Sequence, residues 1–134
     1  MIVARSTLKN EARLSARGGN LAEGQRMLCK IWSGPMLGIR IATPNRNRYF
    51  SRHSKSILIE IEGKLCRTEL PDTFWTTCPE IRVALDEHGR NYLSYWITKN
   101  NLLPPTRSKE LKGKEDIVVL EVAEPRKRFK LYLP

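Results

Sequence analysis

The chain has no long apolar run, only two histidines, few aromatic rings and, in its first 56 residues, almost no acid. Its longest apolar stretches, such as Ile57–Ile59 and Ile117–Leu120, fall far short of the roughly 20 residues a membrane helix needs. No membrane partner is expected. The start of the chain has no continuous apolar segment of the secretory kind, because Arg5 is followed by a polar stretch from Ser6 to Glu11. A cytoplasmic protein is the expectation. Cysteine is scarce and odd in number, Cys29, Cys66 and Cys78, with no Cys-x-x-Cys pair, which argues for reduced thiols over a disulfide framework. Cys66, Cys78 and His88 also lack the close ligand pairs of a zinc module.

With His53 and His88 as the only imidazoles, acid–base catalysis has few candidates. No Gly-x-Ser-x-Gly, Walker loop or Gly-x-Gly-x-x-Gly occurs, so acyl transfer and nucleotide binding have no support. Pro71-Asp72 resembles the first element of a metal-nuclease site, but the only nearby Glu-x-Lys, Glu62-Gly63-Lys64, precedes it and falls in an expected turn. The expectation is a protein without enzymatic activity, cofactor or metal.

Basic charge is present, and it is lopsided. Residues 1–56 hold eleven Lys and Arg against two acids, a net of +9, while residues 57–134 hold thirteen against twelve, a net of +1. Such asymmetry points to a polyanionic partner more strongly than overall basicity does. The length of 134 residues, with 40% hydrophobic and 28% charged residues, fits one globular unit able to bury a core.

The chain divides near residue 56 into a basic N-terminal region, 1–56, and an α+β core, 57–134. In the first region, 6–17 reads as a short helix capped by Ser6 and ended by Gly18-Gly19. Arg5, Lys9, Arg13 and Arg17 recur there at every fourth position, which places like charges along one face. Residues 21–32 read as an amphipathic helix with Leu21, Leu28, Ile31 and Trp32 on one side, and 36–42 as a strand. Residues 43–55 read as a loop from their Pro and Asn content.

In the second region, 56–62 and 65–70 read as a β-hairpin turning at Gly63. A helix begins at Pro79, resumes after Gly89 and stops at Asn100-Asn101. Residues 103–114 read as a polar connection, and 115–122 and 128–133 as strands. The expected fold is ββ-α-ββ: a small antiparallel sheet over about 56–134 with helix packed on one face, preceded by the partly helical basic region.

The basic loop carries the sharpest functional signal. Arg46, Arg48, Arg52 and Lys55 are interleaved with Tyr49 and Phe50. Single-stranded nucleic acid is often held this way, with cations on phosphate and rings on bases, each stack contributing about 1–3 kcal/mol. The competing reading sends Tyr49 and Phe50 into the core and leaves the arginines in water. Phe74, Trp75, Tyr92, Tyr95 and Trp96 read as core aromatics. Candidate binding residues are thus Arg46, Arg48, Tyr49, Arg52 and Lys55, with Arg5, Lys9, Arg13 and Arg17 as a second surface. The expected partner is RNA or DNA; the alternative is an inhibitor or accessory module docking on an acidic protein, with charge steering association.

One local resemblance exists. Cys78-Pro79-Glu80-Ile81-Arg82-Val83-Ala84-Leu85 is similar to a stretch of swapped-hairpin transcription regulators of the AbrB and antitoxin type. It covers about eight residues. The Gly-Asp that follows in that family is replaced by Asp86–Asn91, and no residue role is carried across.

Overall fold

Met27, Cys29 and Ile31 alternate with Arg26, Leu28 and Lys30, and burial follows that alternation: the first set is buried, the second exposed. Period two is a strand's period, and Arg26–Ser33 is strand β1, not the helix expected over 21–32. The structure is a computed structural model describing residues 23–33, 37–102 and 116–134. After β1 come β2 (Leu37–Arg40), α1 (Thr43–Tyr49), β3 (Ser56–Ile61), β4 (Lys64–Glu69), α2 (Asp72–Thr76), β5 (Glu80–Ile81), α3 (Tyr92–Lys99), β6 (Ile117–Glu124) and β7 (Arg128–Tyr132). The expected helix at 6–17 and connection at 103–114 lie outside the described residues.

The strands form one seven-stranded mixed sheet in the order β4-β3-β7-β6-β1-β2-β5. β3 and β7 run parallel, and the other neighbours are antiparallel. The β3–β4 hairpin turns through Glu62 and Gly63, both at positive φ (50° and 82°), the backbone of the tight turn that suits twisted antiparallel strands. At Gly38 a Cβ would collide with the Ile81 carbonyl oxygen, so only glycine lets β2 lie against β5.

The two ends of the sheet nearly meet. Beyond β5 the chain stays extended, and Leu85 exchanges both backbone hydrogen bonds with Arg67 of β4, each 2.9 Å. The Thr68 hydroxyl donates to the Val83 carbonyl at 3.0 Å. Asn91 holds the same segment from behind: its Oδ1 accepts from the Ala84 N–H, and its Nδ2 donates to the Arg82 carbonyl, both at 3.0 Å. Asp86 shapes the turn that returns to Asn91 by accepting the N–H groups of His88 and Arg90. A sheet so wrapped is a nearly closed barrel.

Its interior is filled by the inward sets of the strands, among them Ile31, Ile39, Ile57, Ile59, Ile61, Val118, Leu120, Phe129 and Leu131. Leu93, Trp96 and Ile97 of α3 plug one end. Phe50 and Phe74 plug the other, with Phe50 stacked on Phe129 at 4.6 Å and edge-on to Phe74 at 5.3 Å. Among the described residues no helix is long and apolar enough to cross a membrane.

The expected small sheet with helix on one face is therefore corrected to a nearly closed, seven-stranded barrel with short helices at its ends. The strand over 36–42, the hairpin over 56–70, the helix after Gly89 and the C-terminal strands appear as β2, β3–β4, α3 and β6–β7. The helix expected from Pro79 is β5, because the Pro79 carbonyl accepts the Ile41 N–H and Ile81 pairs with Ile39 on β2. Strands β1 and β2 are not an appendage to the sheet: β1 is paired between β6 and β2.

Two outcomes follow. Backbone N–H groups of Arg90 and His88 hold the Asp86 carboxyl below its ordinary value of 3.8. A depressed native value adds stability above the unfolded-chain pKa, and this is lost as pH falls through the native one. Asp86→Asn should flatten the fall in denaturation midpoint between pH 5 and pH 3, and an unchanged fall would contradict this role. Burial pushes the Cys29 thiol up to about 12 and also raises Cys66, whereas Cys78 is half-exposed. At pH 8 a thiol reagent should label Cys78 rapidly and the other two only on unfolding; three equal rates would contradict the burial.

Candidate nucleic-acid interface

The barrel end plugged by Phe50 and Phe74 gathers most of the expected basic loop. Pro44 near the start of α1 fixes a helical φ, and Arg46 and Arg48 fall in its last turn, where cations suit the exposed carbonyls. The loop from 50 to 55 then crosses the end of the barrel to β3, anchored where the Lys55 carbonyl accepts the Leu70 N–H at 2.8 Å. Next to it is the β6–β7 turn, whose Lys127 carbonyl accepts the Leu58 N–H at 2.9 Å.

The expected site residues separate into two groups. Arg48, Arg52 and Lys55 are exposed. Arg46 and Tyr49 are internal, 7% and 5% exposed, and Phe50 is 3% exposed. The Tyr49 hydroxyl is hydrogen-bonded to Gln25 Oε1 at 3.0 Å, which ties α1 to the start of β1. Arg46 donates from Nη1 to the Phe74 carbonyl and from Nε and Nη2 to Asn47 Oδ1, at 3.0–3.1 Å. It therefore joins α1 to α2. Tyr49 and Phe50 thus show no free ring face to a base, and Arg5, Lys9, Arg13 and Arg17 lie outside the described residues.

Sequence reasoning missed three participants. Trp75, read as core, is half-buried and carries the guanidiniums of Arg46 and Arg52 at 5.5 and 5.3 Å from its ring centroid, a pair of cation–π contacts that pins the loop to α2. Arg126 and Lys127, read only as a turn, bring cations of the C-terminal hairpin beside β3. The run Arg126-Lys127-Arg128 was a visible signal; its proximity to residue 55 was not.

Pairing separates this end from most of the wall, although Lys30 of β1 and Lys130 of β7 also form no ion pair among the described residues. On the barrel wall, Arg26 meets Glu121, Lys64 meets Glu87, Arg67 meets Glu69, and Lys99 meets Glu62. Arg48, Arg52, Lys55 and Arg126 form no ion pair among the described residues, while Lys127 and Arg128 share Glu124. A groove of about 590 Å3 follows the seam between β4 and β5. Its buried carboxylate, Glu80, is held by Arg82 at 3.0 Å and Arg40 at 3.7 Å, and is committed to ion pairs. Among the described residues no group of three or more His, Cys, Asp or Glu could hold a metal.

The split between internal and exposed arginines can be measured. Arg46→Ala should cost about 1–3 kcal/mol by leaving the buried Phe74 carbonyl unsatisfied, whereas Arg48→Ala should change stability by less than about 0.5 kcal/mol. Equal losses in chemical denaturation would contradict the assignment. Against known proteins, no family model matches this chain, and neither does any curated protein or solved structure.

Proposed function

We propose that the protein binds nucleic acid through its sugar–phosphate backbone, using Arg48, Arg52 and Lys55 with Arg126 and Lys127 beside them. The observation that supports this reading most is that Arg48, Arg52, Lys55 and Arg126, exposed at one barrel end, lack carboxylate partners among the described residues, while Lys127 beside them is held only by Glu124 at 3.9 Å. An unpaired surface cation keeps its full attraction for phosphate, whereas one already in an ion pair must give up that partner first. The burial of Tyr49 and Phe50 removes base stacking from the expected mechanism. Phosphate contact remains. Such contacts position a protein on nucleic acid without reading its sequence.

A protein partner is the second reading, favoured by Leu28 and Leu65, which stand 62% and 51% exposed on the outer faces of β1 and β4. Salt separates the two. Binding through phosphate should weaken with a log–log slope of about −0.9 for each duplex phosphate neutralised. The triple variant Arg48→Ala, Arg52→Ala, Lys55→Ala should bind mixed DNA and RNA more weakly across all sequences, with a slope shallower by about 2–3. Undiminished affinity in that variant rules out these residues. No binding at about 50 mM salt sets aside the nucleic-acid reading.

A further inference from the structure

Arg46 poses an electrostatic question that the basic end does not answer. Its guanidinium is buried, yet its hydrogen bonds go to neutral acceptors, Asn47 Oδ1 and the Phe74 carbonyl, and it forms no ion pair among the described residues. Burying a charge without an opposite charge is costly, and Arg has five N–H donors to satisfy. The Trp75 ring, 5.5 Å away, offsets part of that cost, and an anion beside the guanidinium would offset more.

The place for it adjoins the side chain. Arg46 lines a pocket of about 320 Å3 between the β1–β2 wall and the exit of α2, together with Lys30, Arg40, Thr43, Thr76 and Thr77. Lys30 and Arg40 are direct cross-strand partners in the β1–β2 register, so two like charges face each other on one sheet surface. That arrangement is destabilising without a counter-charge. Glu80 relieves Arg40 in part, but it is shared with Arg82, and Lys30 has no ion pair among the described residues. Among the described residues no acidic side chain lines the pocket, which makes that lining unsuited to a cation. Thr43 and Thr77 also line it and carry short hydroxyl donors of the kind that complete an oxyanion's coordination, while the Thr76 hydroxyl donates to the Asp72 carbonyl at 3.4 Å.

We propose that this pocket is a binding site for a phosphate-class oxyanion, with Arg46 as the buried base of the site and Lys30 and Arg40 as its walls. Arg46, already oriented by its bonds to α2, presents a fixed guanidinium, and a tetrahedral anion accepts from it and from Lys30 together. The site is separate from the reading of the barrel end, since none of Arg48, Arg52 or Lys55 lines it. The same chemistry is offered by a nucleic-acid phosphate and by a small phosphorylated molecule.

Thermal denaturation in inorganic phosphate against chloride at equal ionic strength tests the site. Phosphate should raise the midpoint saturably in the unaltered chain, because a ligand that binds only the folded state stabilises it. Lys30→Ala and Thr77→Val, both at exposed positions and tolerable to the fold, should weaken the fitted phosphate affinity at least fivefold. The same midpoint in phosphate and chloride, or full affinity in Lys30→Ala, overturns the proposal. Competition between phosphate and an oligonucleotide assigns the pocket to a nucleic-acid phosphate, and simultaneous binding assigns it to a small phosphorylated molecule; either supports the site. Loss of oligonucleotide binding in the Arg48/Arg52/Lys55 triple variant with phosphate stabilisation intact keeps the two readings distinct.

Discussion

Everything in this fold depends on bringing together the two free edges of its sheet. An open sheet presents unpaired N–H and C=O groups along both outer strands, a standing invitation to edge-to-edge association. Here the strands are short and the closing contact is small: one pair of backbone bonds between Arg67 and Leu85, one hydroxyl bond from Thr68, and the side-chain clamp of Asn91. Asn91 works because its amide carries a donor and an acceptor, so a single side chain satisfies two groups of a segment too irregular to pair throughout. Closure also defines the interior that Trp96 and Phe74 fill from opposite ends.

Once the barrel is closed, helices at its ends have no sheet face to cover, and they serve as plugs and brackets. α1 and α2 are short, and isolated helices of their length are unstable in water. Tertiary anchors hold them: Tyr49 to Gln25, Arg46 to the Phe74 carbonyl, and Trp75 beneath two guanidiniums. Some of the chain's basic charge therefore builds structure. Composition counts Arg46 and Arg48 alike, but one is a buried strut and the other an exposed charge that lies over the Tyr49 ring and forms no ion pair among the described residues.

Much of the architecture was readable where periodicity was unambiguous. Ile57, Ile59 and Ile61, or Phe129 and Leu131, alternate so strictly that their strands need no tertiary information. β1 was misread because Leu28, Ile31 and Trp32 also fit a helical face; the choice was settled by β6 and β2, which lie far along the chain and close beside it in space. The helix expected from Pro79 failed for the same reason. Of the candidate site, the exposed Arg48, Arg52 and Lys55 were legible in the sequence, while the inward turn of Tyr49 depended on a partner 24 residues away. The Lys30–Arg40 pairing requires the register of two strands, which no local pattern reveals.

The sheet order also bears on how the chain reaches its fold. β1 pairs with β6, joining Arg26 to Glu121, and β3 finds its second neighbour only in β7. Contacts so distant in sequence slow folding, because the connecting chain must lose its freedom before the contacts form. On the ribosome, the β3–β4 hairpin can assemble early, but its isoleucine face has no β7 to meet until residue 132 has been made. A nascent chain of this topology therefore carries an uncovered apolar strand face from the completion of β4 at Glu69 until β7 has been made. Exposed strand faces of this kind are prone to aggregate.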